Sequence, residues 1–218
     1  MSEAASASGL KLLRLLQLAD SALPIGGLTH SFGLETLIEE GELEKNDLFP
    51  FFQVLLCENL LLDAVYCRKA HSGERVRALN ERLNALRLAR ELREGSVSLG
   101  RRFLIHVANL EEEIAACAED SHFVVAFGYV SGALGFNAED TVSAFLHQSI
   151  TAALSVCQRL LRLGQREAAQ IAWDLKPFIL DTVARSATLS VETVGTFAHL
   201  PELASMRHPT LPTRLFVS

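Results

Sequence analysis

Between Pro50 and Pro177 the chain carries no proline. Proline ends or kinks a helix because it lacks an amide hydrogen and clashes with the preceding turn, so this interval is free to run as a succession of helices. No strand-like alternation is sustained across it. The remaining prolines, Pro24, Pro201, Pro209 and Pro212, fall towards the two ends. Apolar residues make up 49% of the chain and aromatics only 7%, so the apolar content is mostly Leu, Ala and Val. Leu and Ala are strong helix formers. The expected fold is all-α: a single-domain bundle of roughly eight to ten helices with an extended C-terminal tail.

A chain of 218 residues is long enough to bury one substantial core without a metal or disulfide staple. Residues 1–8 (MSEAASAS) are small and polar and are expected to be disordered. Residues 9–198 form the expected helical domain, and residues 199–218 a docking tail. The net charge of −6 argues against a nucleic-acid partner. Arg far outnumbers Lys, a mild pointer to protein contacts. Cys57, Cys67, Cys117 and Cys157 form no C-x-x-C pair and sit among apolar residues. They read as small buried hydrophobes, reduced as in the cytoplasm. The apolar run Phe123–Phe136 is shorter than the ~20 residues that span a bilayer, so no membrane association is expected.

Helical patterns follow one another along the chain. Leu12, Leu15, Leu16 and Ala19 form one apolar stripe. Asn46 is a candidate cap for a helix running from Phe52 through Val65, apolar on most faces and therefore central. Ser72 and Gly73 end it. The next helix carries Val76, Leu79, Leu83 and Leu86, and Gly95 is expected to close it. A further helix spans about Val97 to Ala108, followed by a short acidic one from Glu111. Ser121 is a candidate cap for His122–Leu134, where Gly128 and Gly132, four apart, allow a close crossing in the core. Asn137 opens an amphipathic helix that Gly164 is expected to end, and Gln165–Ser190 forms one or two helices broken at Pro177. The tail's Leu203, Met206, Leu211, Leu215 and Phe216 are too apolar for a disordered segment. It should dock on its own body or on a partner.

Recognisable chemistry is sparse. Neither phosphate-binding glycine loop is present, and Gly26-Gly27 has no following Lys. The seven histidines are scattered singly, without H-E-x-x-H or H-x-H, so no metal ligand set and no catalytic residue is assigned. No stably bound cofactor is expected. That scarcity favours binding over turnover.

Two segments stand out. In LQLADSALPIGGLTHSFGLE (16–35), Asp20 and Ser21 can satisfy amides as a helix ends, and Pro24 fixes its own φ. Gly26 and Gly27 permit positive φ or close approach by another chain. Thr29 is a candidate cap for a helix bearing Phe32, Leu34, Leu37 and Ile38. In the tail, Arg214-Leu215-Phe216 sets an Arg beside two large apolar groups, the composition of an interface anchor. An intramolecular strap fits it equally.

The run from Leu15 to Glu35, L-L-Q-L-A-D-S-A-x-P-I-G-G-x-T-H-S-x-G-L-E, resembles the N-terminal signature of the UreF urease accessory family. Ser98-Leu99-Gly100 with Arg102-Phe103-Leu104, His122-Phe123-Val124-Val125 with Gly128, Arg159 with Leu163-Gly164-Gln165, and the closing Arg214-Leu215-Phe216-x-Ser218 are similar to further blocks in the same order. Leu28, Pro209 and Val217 depart from the family pattern. The resemblance implies a helical, homodimeric, cytoplasmic protein that binds a UreD/UreH-type accessory protein and recruits the GTPase UreG. The assembly delivers nickel to apo-urease. It further implies partner contacts at Arg214, Leu215 and Phe216, and at the loop residues Asp20, Ser21, Pro24, Gly26, Gly27, His30, Ser31 and Glu35. A helical-bundle enzyme with a pocket of scattered His, Cys and acids, or an adaptor unrelated to urease, would be the alternatives.

Overall fold

The structure, a computed structural model, describes residues 3–111, 114, 120–195 and 199–217. Its α-helices are α1 (Glu3–Leu18), α2 (Leu34–Glu39), α3 (Leu48–Cys57), α4 (Asn59–His71), α5 (Val76–Leu86), α6 (Arg90–Ala108), α7 (Phe123–Ala133), α8 (Ala138–Leu160), α9 (Gln165–Asp174), α10 (Lys176–Ser186) and α11 (His199–Arg207). Tight 3-10 turns occupy Gly27–Thr29, Lys45–Asp47 and His208–Thr210, and no strand occurs among the described residues. The short acidic helix expected from Glu111, together with Cys117 and Ser218, lies outside the described residues apart from Glu111 and Ile114.

The centre of the bundle is α4, which buries Leu60, Leu61, Leu62, Ala64, Val65, Tyr66, Cys67 and Ala70. Each large apolar side chain so buried stabilises the fold by about 1.5–3 kcal/mol before entropy is counted. Helix α7 lies directly across it. A Cβ at Gly128 would fall well inside van der Waals contact of the Cys67 carbonyl oxygen, and one at Gly132 would meet that of His71. The glycine spacing therefore sets a backbone-to-backbone crossing, as the sequence suggested. On the other side of α7, Phe103, Phe123, Phe127 and Phe145 join α6, α7 and α8 through ring centroids 5.4–6.0 Å apart.

Several helix boundaries differ from the sequence reading. The helix expected from Asn46 is two helices, α3 and α4, broken at Glu58 (φ −117°, ψ −86°). By length and composition the stretch Lys45–His71 could cross a membrane; here it is the broken core of the bundle. Gly95 does not close a helix but is buried inside α6, and the break falls at residues 87–89. There Arg93 Nη1 donates to the Arg87 and Leu88 carbonyls, and Arg87 pairs with Asp63 of α4 at 2.5 Å. Ser121 does not cap α7. Neighbouring helices do so instead: the His122 amide donates to Asn80 Oδ1, and the Phe123 amide to Ser96 Oγ. Ser121 Oγ accepts from Asn80 Nδ2. Asn137 caps α8 as expected, its Oδ1 accepting from the Asp140 amide. Gly164 starts α9 rather than ending α8; Arg162 (φ 51°) makes the reversal.

Both termini are more helical than expected. Helix α1 begins at Glu3, so residues 3–8, read as disordered, are helical. Alanine at 4, 5 and 7 favours that conformation. The tail is helical from His199 to Thr210, and only its last residues are extended. Pro201 falls in the first turn of α11, where a missing amide hydrogen costs nothing, and Pro209 sits in the short 3-10 turn. Helix α1 is also rotated from the expected register. It buries Leu15 and Leu18, while Leu10, Leu12, Leu13 and Leu16 are 51–65% exposed.

Candidate functional site

The first segment singled out by the sequence is an irregular connector between α1 and α2. Asp20 Oδ1 accepts from the Ala22 amide at 2.8 Å, which tightens the turn after α1. Leu23 and Ile25 are buried and pin the loop to the core, leaving Asp20 and Pro24 exposed and Ser21 half-buried. Gly26 takes φ +78°, and Arg102 of α6 donates to the Ile25 carbonyl at 3.3 Å beside it. Gly27 begins the 3-10 turn with open space around it. Thr29 does not cap α2. Its hydroxyl donates back to Gly26 O at 2.7 Å, and α2 starts at Leu34 after Gly33.

Two consecutive left-handed residues, Phe32 (φ 51°) and Gly33 (φ 90°), turn the chain into α2. Gly33 is required twice over, because a Cβ there would run into the Pro201 carbonyl of α11. His30 and Ser31 are buried just before this turn. The His30 ring stacks on Phe32 with centroids 5.6 Å apart. Burial first, and then the Arg102 guanidinium, hold its pKa below the ordinary imidazole value.

This turn delivers Glu35 into the interior, where it is only 1% exposed. A buried carboxylate demands several donors, and among the described residues those of Glu35 come from the tail. His208 Nε2 donates at 2.7 Å, the Leu215 amide at 2.6 Å and the Phe216 amide at 3.3 Å. The Val217 amide adds a bond to Thr29 O at 2.8 Å. Phe216 is 5% exposed, with the Arg159 guanidinium 5.7 Å from its ring centre. Arg159 also donates to Leu28 O at 3.3 Å. One turn earlier, Arg207 bridges Glu40 at 2.6 Å and Glu42 at 3.1 Å. The two segments picked from the sequence thus meet in one clasp, with Glu35 at its centre.

The clasp sorts the candidate residues. Glu35 and Phe216 are buried in it, Gly26 shapes the loop, and the Leu215 backbone takes part while its side chain stays 71% exposed. Arg214 and Val217 also face solvent. His208, Arg159, Arg102 and Arg207 belong to the clasp but were not among the candidates. Arg159 and Arg102 stood in family-like blocks without a role, and no local spacing could have paired His208 with Glu35.

A second exposed feature is the leucine face of α1. Lys11 Nζ donates to Gly135 O at 2.8 Å, and Arg14 pairs with Glu111 at 3.2 Å, so the helix is tied to the bundle by polar contacts while Leu10, Leu12, Leu13 and Leu16 face out.

No group of three or more His, Cys, Asp or Glu that could hold a metal ion occurs among the described residues. Burial pushes the Cys67 thiol strongly up and the Cys157 thiol to about 12, so both stay protonated and poorly nucleophilic. His122 is fully buried against Asn84 Oδ1 at 3.1 Å. Burial, then Arg87 and Arg93, lower it to about 3.

A sequence model described as UreF matches residues 44–176. The chain is 32% identical to the urease accessory protein UreF of Geobacillus kaustophilus (strain HTA426), covering 95% of this chain and 98% of that one. It is 31% identical to the protein of the same name from Haemophilus influenzae (strain PittEE), over 94% of each chain. The Rhodopseudomonas palustris (strain TIE-1) protein of that name is 32% identical over 95% of this chain and 92% of its own.

Proposed function

Because the chain belongs to the UreF family of urease accessory proteins, we propose that it is a nickel-insertion assembly factor, bridging a UreD/UreH-type protein and the GTPase UreG while the urease metallocentre matures. The chain is an accessory protein and not an enzyme. Nickel is cargo here, handled by the complex. In the same reading two copies form a homodimer, and the assembly works in the cytoplasm on apo-urease.

The observation that carries this reading is the clasp. Glu35 holds the tail by its backbone amides, which leaves the Arg214, Leu215 and Val217 side chains free to face a partner. A tail held only by its own apolar side chains would have none to offer. The exposed leucines of α1 supply a further apolar surface without any loss of core. Exposed apolar patches mark surfaces that bind other proteins, and Arg is enriched among the residues that dominate such interfaces. Glu35 and the loop from Asp20 to Ser31 therefore act indirectly, as the seat of the docking tail.

Co-expression with UreD- and UreG-type proteins and affinity capture test the reading. The full chain should retain both. Truncation after Thr210, or Leu215→Glu, should leave a folded helical protein that captures the UreD-type partner poorly. Equal capture by all three forms would remove the tail from the interface, and unfolding of the truncated form would make it a structural strap.

A further inference from the structure

Two guanidinium groups from different helices grip the connector loop. Arg102 of α6 donates to the Ile25 carbonyl and Arg159 of α8 to the Leu28 carbonyl, each at 3.3 Å. Each bond uses one of several guanidinium N–H groups, and both residues are exposed. Exposed Arg162 follows the end of α8, and exposed Arg214 stands two residues before Phe216, whose ring Arg159 covers. None of these four arginines makes an ion pair among the described residues, whereas Arg14, Arg68, Arg87 and Arg207 elsewhere all do. The acids of the same segment are already engaged. Asp20 Oδ1 accepts from the Ala22 amide, and buried Glu35 holds the tail. Burial and then Arg102 lower the His30 pKa, with no carboxylate among the described residues to offset them. A chain of net charge −6 thus gathers unpaired cations around the loop and its clasped tail.

We propose that this surface docks an acidic segment of a partner protein, with apolar side chains interleaved among its carboxylates. The carboxylates follow from the forked guanidinium donors, which match them bidentately. The apolar part follows from Leu215 and Val217, which stand 71% and 70% exposed in the same tail as Arg214. The net negative charge of the whole chain opposes a nucleic acid or an anionic membrane as the occupant. The inference rests on the reading of the tail as the docking element for the UreD-type protein.

Binding of the full chain to that purified protein, at about 50 and about 500 mM NaCl, tests it. Arg102→Gln combined with Arg159→Gln should weaken binding about tenfold at the lower salt, and the gap from wild type should close at the higher. Arg214→Gln, which leaves both loop carbonyl bonds in place, should act in the same direction. Arg102→Lys keeps the charge and should keep most of the salt dependence. Arginines that only brace the loop would shift affinity equally at both salt concentrations, so a gap independent of salt overturns the proposal. Equal low-salt binding by wild type and the double variant does the same. Retention of wild type, but not of the double variant, on duplex DNA or phosphatidylserine vesicles would assign the surface to a polyanion instead. No binding by wild type at either salt would remove the docking-tail reading itself, and this inference with it.

Discussion

Glu35→Gln tests the clasp with the smallest change of shape. The wild-type carboxylate accepts from the Leu215 amide, the Phe216 amide and His208 Nε2. The amide side chain has one oxygen, so at least one donor must meet an NH2 group instead. A hydrogen bond to a charged group is worth about 1.5–3 kcal/mol. If the loss appears as easier local opening of the tail, that energy is about a 10- to 150-fold fall in protection of the affected amides. Hydrogen exchange on the full chain measures it directly. Protection at Leu215 and Phe216 should fall by that factor, while amides in α4, at the centre of the bundle, keep theirs. Global stability should change less than local protection, because the freed tail amides can be hydrated. Unchanged exchange at both amides would show that Glu35 does not hold the tail. Equal loss in α4 would show that the clasp belongs to the global core instead.

Two other substitutions separate close packing from open loop. Gly128→Ala should cost about 3 kcal/mol, because the new Cβ meets the Cys67 carbonyl, lowering Tm by roughly 6–12 °C. Gly27→Ala, with nothing nearby, should stay within about 0.5 kcal/mol; similar melts for the two would refute the crossing geometry. Stability should also depend on pH through His122. Its folded pKa is about 3, below the ~6.5 of an unfolded imidazole, so the unfolded chain takes up the proton first. The contribution is complete above that unfolded value and is lost as pH falls, by about 2 kcal/mol at pH 5. Urea unfolding at pH 7 and pH 5 should show this dependence shrinking in His122→Gln, and an unaltered difference would contradict the burial argument.

The fold was readable where local chemistry decides it. Proline spacing, the Gly128–Gly132 pair and the Asn137 cap each act through neighbouring backbone, and each appears as expected. Errors arose where distant groups decide. Asn80 and Ser96 cap α7 from other helices, which no reading of Ser121 could foresee. Helix α1 offers overlapping leucine stripes, and periodicity alone could not tell which one the bundle would bury. Glu35 lies 173 residues from His208 in the chain. Its segment was distinctive in sequence, but its partners were not, because burial of a carboxylate becomes visible only once the tail folds back. The loop glycines divide similarly: Gly26 takes the positive φ that was anticipated, and Gly27 does not.

Urease activation in a host lacking its own copy of this gene reaches the central claim most directly. The variant to compare with wild type is Leu13→Glu with Leu215→Glu, since both side chains are exposed, at 65% and 71%, and neither supports the core. Wild-type protein should restore urease activity and nickel content. The double variant should fold with unchanged Tm yet restore neither. Full restoration by that variant would contradict the claim that this protein works through the surfaces it presents at α1 and the clasped tail.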